Sequence, residues 1–339
     1  MTNTPAPAKS AVEHDASAAA SWLSRALAAG RARPWLPLLA AGAVVVIVYP
    51  FLASTYLLQI GFQILLYAAI GEAWNLIAGY GGMVSLGSAA FIGTGAYTLA
   101  ELTGHGFPLV AAVVAGGAIA AVFAAAISPA MFRLRGVYFS VATLALAEAL
   151  LLLISTISTF GGTTGLLLRG AVPSYLGLYW WGLGCAALST AIVVWLLRSR
   201  LSLALRAIRD DQDVAQEMGV HAFRTKLVAF VLASFIMGAA GALQSLNTAY
   251  VEPSGSFSLQ WTIDIVTVVI IGGMATRVGP WIGAVFTVVL VQVLASYPDI
   301  HDAITGVILI LVIRFAPRGI WGTAVTTSAR IRARGVRGE

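Results

Sequence analysis

The stretch GYGGMVSLGSAAFIGTGAY, residues 79–97, sets six glycines and several hydroxyls inside a chain that is otherwise strongly apolar. Without them this segment reads as an ordinary membrane helix; with them it reads as an interrupted one. That reading depends on the medium, and composition identifies the medium. Of 339 residues, 59% are hydrophobic and only 10% charged, with a mean hydropathy of +0.89, whereas soluble domains carry about 25% charged residues. Apolar runs recur from Leu36 to Ile313, and a hydrocarbon core of about 30 Å takes roughly 20 apolar residues per helix. The runs are continuous rather than alternating, which argues against a β-barrel. The expected fold class is all-α: a polytopic α-helical membrane protein with broken or re-entrant glycine-rich segments.

About ten membrane segments are expected, at 36–53, 56–78, 83–102, 108–128, 137–157, 175–197, 226–248, 261–275, 279–296 and 303–315. Several are shorter than a full span, so tilted or partial passage is expected among them. Residues 1–33, rich in Ala, Ser and Pro, read as a disordered leader; 34–322 form the transmembrane domain, and 323–339 a basic tail. With the N-terminus in the cytoplasm, nineteen of the twenty Lys and Arg residues fall on the cytoplasmic side and only Arg169 falls opposite. The positive-inside rule therefore puts both termini in the cytoplasm, with 198–226 inside and 158–174 outside.

Residues 198–226 make the longest cytoplasmic connection. Leu205, Ile208, Ala215 and Met218 share one face of a helix over this stretch, while Arg206 with Asp210 and Arg209 with Asp213 have i,i+4 spacing. Gly219 is placed to end that helix. The stretch reads either as a solvated connection or as an amphipathic helix that docks into a cytoplasmic partner.

Gly79, Gly81 and Gly82 are expected to break the chain at the cytoplasmic end of a span. Gly87, Gly93 and Gly95, with Ala89 and Ala90, give the next helix smooth packing faces. Ser85, Ser88 and Thr94 add hydroxyls. Two readings stand: a helix-packing seam, or a broken helix that lines a solute path. A second glycine-rich string, GGMATRVGPWIGAVF at 272–286, also falls at a cytoplasmic end, and its GGM triplet repeats the one at 81–83 about half a chain earlier.

Glu72 and Glu148 lie within spans, where a central acidic residue costs roughly 2.5–3.5 kcal/mol, so neither is expected on lipid. Each reads as a carboxyl that ties helices together or as part of a pathway. Asp264, near the outer end of its span, is expected to reach toward water, and Asn75 to hydrogen-bond between helices. Tyr175, Tyr179, Trp180 and Trp181 fit an outer aromatic belt. Cys185 is the one cysteine, and it reads as a small buried hydrophobe. His14, His105, His221 and His301 show no metal-ligand spacing. No catalytic or metal-binding cluster is expected, so the chain does not read as an enzyme. No Gly-rich phosphate loop ending in Lys-Ser/Thr is present, so no ATPase site is expected.

Taken in order, GYGGMVSLGSAAFIGTGAY, LRGVYFSVATLALAE at 134–148, FGGTTGL at 160–166, ALRAIRDDQDVAQEMGV at 204–220, YVEPSGSF at 250–257, IGGMATRVGPWIGA at 271–284 and APRGIWG at 316–322 resemble the branched-chain amino-acid ABC-importer permeases of the LivH/LivM type. GGTTG and PRGIWG look more like the M-type subunit. The resemblance implies a permease subunit of the bacterial inner membrane that works by alternating access. It also implies three kinds of partner: a paralogous LivH-type permease, two cytoplasmic ATPases of the LivG/LivF type that bind ATP and Mg, and a periplasmic or lipid-anchored solute-binding protein. It carries an ATPase-coupling role to Asp213, Ala215, Glu217 and Gly219, alongside the basic face of Arg206 and Arg209. It makes Ser85, Gly87, Ser88, Glu72 and Glu148 candidates for a pathway that meets the ammonium group of an amino acid. The chain departs from the family at Asp264 and in its more acidic DDQDVAQEMG. Relatives of this shape carry urea, short amides or other small polar solutes, and a proton-coupled secondary transporter stands as a further reading.

Overall fold

The computed structural model describes residues 49–51, 53–168 and 173–294, together with 304, 306, 307, 310, 311, 314 and 319–323. The leader, nearly all of the tail, Arg169 and most of the segments expected at 36–53 and 303–315 lie outside the described residues. From Ser54 onward the fold is helical. Helix α1 (Thr55–Trp74) runs into a π-helical turn (Asn75–Tyr80) and is followed by α2 (Ser88–Gly104), α3 (Leu109–Met131) and α4 (Val137–Thr156). Helix α5 (Tyr175–Arg198) leads into the short helices α6 (Arg200–Asp210) and α7 (Gln212–Glu217). Then come α8 (Ala222–Thr248), α9 (Pro253–Ser256), α10 (Leu259–Gly272) and α11 (Gly279–Leu294).

Among the described residues, six segments are long and apolar enough to cross a membrane: Thr55–Tyr80, Leu109–Met131, Val137–Thr156, Tyr175–Arg198, Ala222–Thr248 and Pro253–Gly272. Helices α2 (17 residues) and α11 (16 residues) fall on expected segments but are shorter than a full span. The shortness of α2 has a definite cause. Helix was expected from residue 83, but the backbone is non-helical until Ser88.

Lipid gives helices no hydrophobic reason to pair, so association rests on close packing, and close packing needs small residues. Helix α8 occupies the centre, against α3, α2, α1 and α5, while α1 packs on α5, α11 and α10. At the α2–α8 crossing a Cβ on Gly95 would overlap the carbonyl of Gly238, and one on Gly241 would overlap the carbonyl of Ile92. Helices α10 and α11 meet the same way, Gly283 lying against the carbonyl of Val268. Cys185 is half-buried on α5, and Tyr179, expected in the aromatic belt, is buried instead.

The alternating helices separate two ends. At one, strands β1 (Leu166–Leu167) and β2 (Tyr250–Val251) pair antiparallel, and the Tyr250 hydroxyl donates to the Thr164 carbonyl. The FGGTTGL and YVEPSGSF strings thereby meet. At the other end lie Gly79–Gly82, the α3–α4 turn, residues 198–226 and the α10–α11 loop. Every described Lys and Arg from 54 to 294 sits there: Arg133, Arg135, Arg198, Arg200, Arg206, Arg209, Arg224, Lys226 and Arg277.

If this basic end faces the cytoplasm, single cysteines in a Cys185→Ala background will report it. Leu203 (69% exposed) and Ser174 (exposed, at the start of α5) are the positions to use. Leu203→Cys is expected to react with an impermeant thiol reagent only after permeabilisation, and Ser174→Cys in intact cells. The reverse pattern would invert the topology.

Candidate functional site

Helix α1 ends in a π-turn, and the chain from Gly81 to Gly87 follows no regular path. This stretch does not stay at the membrane surface. The Leu86 N–H donates to Thr143 Oγ1 (3.0 Å), and the Leu86 carbonyl accepts from Thr262 Oγ1 (3.1 Å). At 1.5 Å per residue, Thr143 lies about 9 Å into α4 and Thr262 about 15 Å from the basic end of α10. Helix α2 therefore begins inside the membrane slab. Irregular backbone at that depth must be buried in protein or line water, because lipid offers no partners.

Side chains from three helices supply the partners. Trp74 Nε1 donates to the Ser85 carbonyl (2.8 Å), Ser140 Oγ to the Val84 carbonyl (2.6 Å), and the Gly87 N–H to Ser85 Oγ (3.3 Å). Ser85 and Ser88 are fully buried, the Ser88 hydroxyl has no hydrogen-bond partner, and a Cβ on Gly87 would overlap the Thr143 carbonyl. Of the residues named from sequence, Ser85, Gly87 and Ser88 come together against α1 and α4. Trp74, Ser140, Thr143 and Thr262 were missed; their only signal was a hydrogen-bonding group on an otherwise apolar helix.

At the basic end a polar clamp closes over the same break. Asn75 Nδ2 donates to the Thr276 carbonyl (2.9 Å) and its Oδ1 accepts the Ala275 N–H (2.8 Å), so the end of α1 is tied to the α10–α11 loop. Asn75 is the interhelical bonder expected, and Ala275 holds a left-handed φ of 59° beside it. Helix α6 lies on the break. Arg209 Nη1 donates to the Gly79 carbonyl (2.6 Å), which gives a guanidinium to the negative end of α1. The Arg206 guanidinium sits over the Tyr80 ring, 5.7 Å from its centroid, a cation–π contact. Gly82 has φ 69°, and a Cβ there would stand 2.9 Å from Arg209 Cγ.

The single amphipathic helix expected across 198–226 is two helices. Asp211 is extended (φ −156°), and its carboxylate accepts the N–H groups of Asp213 and Val214, capping α7. Leu205, Ile208 and Ala215 are buried as expected, but Met218, beyond the break, is 81% exposed. Neither expected i,i+4 ion pair forms among the described residues, because Arg206 and Arg209 turn onto the break. Asp213 instead pairs with Arg135 of the α3–α4 turn at 2.8 Å. The hydrogen bond from Arg135 holds the Asp213 carboxyl below its usual range and raises the Arg135 pKa in turn. Ala215 is buried, Glu217 is exposed, and Gly219 takes φ 86° as α7 ends.

The three intramembrane carboxylates differ. Glu72 is buried among α1, α5 and α11: Thr190 Oγ1 donates to both its oxygens (3.0 and 2.9 Å), and Trp281 Nε1 to Oε1 (2.9 Å). Glu148 is exposed on α4, whose buried residues Phe139, Thr143 and Ala147 form a stripe on its other face. Asp264, expected to reach for water, is half-exposed and accepts from Tyr67 Oη (2.9 Å) and Gln260 Nε2 (3.0 Å) beside a polar cavity.

Comparison with known proteins places this arrangement. The family described as "Branched-chain amino acid transport system / permease component" matches residues 56–313. The chain is 25% identical over 310 residues, 82% of its length and 72% of theirs, to the high-affinity branched-chain amino acid transport system permease proteins LivM of Salmonella typhimurium and Escherichia coli. It is 24% identical over 209 residues, 56% of its length and 61% of the relative's, to the probable LivM permease of Methanocaldococcus jannaschii. No solved structure matches the chain.

Two substitutions test the anchored break. Trp74→Phe strands the Ser85 carbonyl and is expected to cost about 1–3 kcal/mol, whereas Ser85→Ala removes one weak bond worth about 1 kcal/mol. Thermal denaturation in detergent reads the difference. The Arg135–Asp213 pair has its own pH signature: its contribution is present above the ordinary Asp range, near pH 4, and is lost as pH falls through the lowered Asp213 value. Stability of the α3–α4 turn against proteolysis is therefore expected to be flat from about pH 6 to 8.

Proposed function

The chain belongs to the family of branched-chain amino acid transport system permease components, and from that premise we propose that it is the LivM-type membrane subunit of an ATP-driven importer. In this reading it moves branched-chain amino acids inward by alternating access, in the bacterial inner membrane. Two ATPase subunits bind ATP and Mg and dock at the basic end. A LivH-type permease completes the membrane part, and a binding protein delivers solute at the opposite end.

The observation that carries the reading is the contact between α6 and the broken helix. Arg209 holds the Gly79 carbonyl, while Asp210, Asp213, Val214, Glu217 and Met218 face outward. A partner that grips the outward side of α6–α7 acts directly on a stretch of membrane backbone, Gly81 to Gly87, that is not helical. The same logic gives α4 a role. Its outward face carries Glu148, and a carboxylate on lipid is costly. The reading makes that face the seam with the second permease.

The test is uptake of radiolabelled leucine into proteoliposomes. The chain with its partners is expected to transport only with ATP, and the chain alone to do nothing under an imposed proton gradient. Gradient-driven uptake by the chain alone would make it a secondary transporter instead. Within the complex, Arg209→Met is expected to leave the ATPases bound but to cut ATP-driven uptake by about tenfold or more, since a charge-assisted bond links α6 to the break. Normal uptake by that variant would remove α6 from the coupling path.

A further inference from the structure

The half of the bundle opposite the basic end contains a cavity of about 320 Å³ between α1, α8, α10 and α11. Its depth follows from its lining. Gln63 and Tyr67 flank the middle of α1, Gln244 lies near the end of α8, Gln260 and Trp261 at the start of α10, and Thr287 and Val291 in the far half of α11. A cavity of this volume is at the small end of the range for small-molecule sites.

The lining is unlike the rest of the bundle. One side is acidic and aromatic: Asp264 accepts from the neutral donors Tyr67 and Gln260, and the Tyr67 and Trp261 rings stack with centroids 5.8 Å apart. A second side is apolar, formed by Val288 and Val291. Two lining residues carry buried oxygens with no hydrogen-bond partner, Gln244 Oε1 and Thr287 Oγ1. Buried acceptors left without donors are rare and costly, and they mark a place where a donor-bearing guest belongs. The lining holds one carboxylate and no Lys, Arg or His.

We infer that this cavity binds the ammonium end of an amino-acid solute, resting on the importer reading above. A primary ammonium offers three donors and a positive charge. Asp264 takes the charge, the aromatic faces add cation–π attraction, and the open acceptors of Gln244 and Thr287 take remaining N–H groups. The amides of Gln63 and Gln260 are the donors at hand for the solute carboxylate, and Val288 and Val291 flank a branched aliphatic chain. Glu72 has no part in this site, because its oxygens serve α5 and α11.

The test uses the assembled complex with Val291→Cys as a reporter in a Cys185→Ala background. Leucine is expected to slow modification of that cysteine by a small thiol reagent. The keto acid of leucine, which has the same side chain and carboxylate but no amine, is expected not to. Asp264→Asn is expected to weaken protection by leucine about tenfold or more while the complex still assembles. Equal protection by the keto acid, stronger protection by urea, or no protection by leucine would overturn the site, and none of these results needs an Asp264 variant to fold. Failure of the wild-type complex to take up leucine with ATP would instead overturn the importer reading.

Discussion

Seven residues of non-helical backbone inside a medium without hydrogen-bond partners impose the constraint on which the rest of this structure depends. Each peptide group left unpaired there would cost several kcal/mol. Carbonyls of the preceding turn reach only the N–H groups of Gly81, Gly82 and Met83; from Val84 to Leu86 the partners are side chains, from α1 (Trp74), α4 (Ser140 and Thr143) and α10 (Thr262). Three helices far apart in sequence are thus held at one depth around one segment. Their apolar faces give them affinity for the bundle; these four bonds fix their register along the membrane normal.

The same segment explains the basic end. A broken helix exposes the last carbonyls of its first half, which carry partial negative charge. Arg209 answers the Gly79 carbonyl, and Asn75 carries the tie across to Ala275 and Thr276. The amphipathic α6 is therefore more than a solvated connection: its buried Leu205 and Ile208 seat it, and its two arginines grip the break. The contact thus combines a small apolar seat with a few directional bonds to the break.

Much of this was legible in the sequence for physical reasons. Glycines in an apolar run announce either close packing or broken helix, and here the two divide by position: Gly95 packs against α8, while Gly81 and Gly82 belong to the break. Asn75 in an apolar helix announced an interhelical bond, and it makes two. What was not legible depended on neighbours. The apolar spacing of Leu205, Ile208, Ala215 and Met218 is that of one helix, but Asp211 caps a new helix at its own position and divides the stretch in two. The ion pairs failed because i,i+4 partners compete with any nearer carbonyl or aromatic face, and Gly79 and Tyr80 were nearer. The position of Asp264 along its own helix says nothing of its partner in α1: Tyr67, nearly two hundred residues earlier, donates to it.

The three intramembrane carboxylates show how environment, not residue type, assigns a role. All three carry the same insertion penalty, and each is balanced differently. Glu72 receives three hydrogen bonds from two other helices and is spent on holding α1, α5 and α11 together. Glu148 stands exposed on the outward face of α4, with nothing among the described residues to offset it. Asp264 receives two neutral donors beside a cavity whose lining still holds unpartnered acceptors. A group that glues has its lone pairs filled by protein; one that recognises a guest keeps the space and the acceptors the guest requires. The carboxylate that ties helices together thus lies toward the basic end and the one beside a polar cavity toward the other, a difference that comes from their neighbours and not from the residue type.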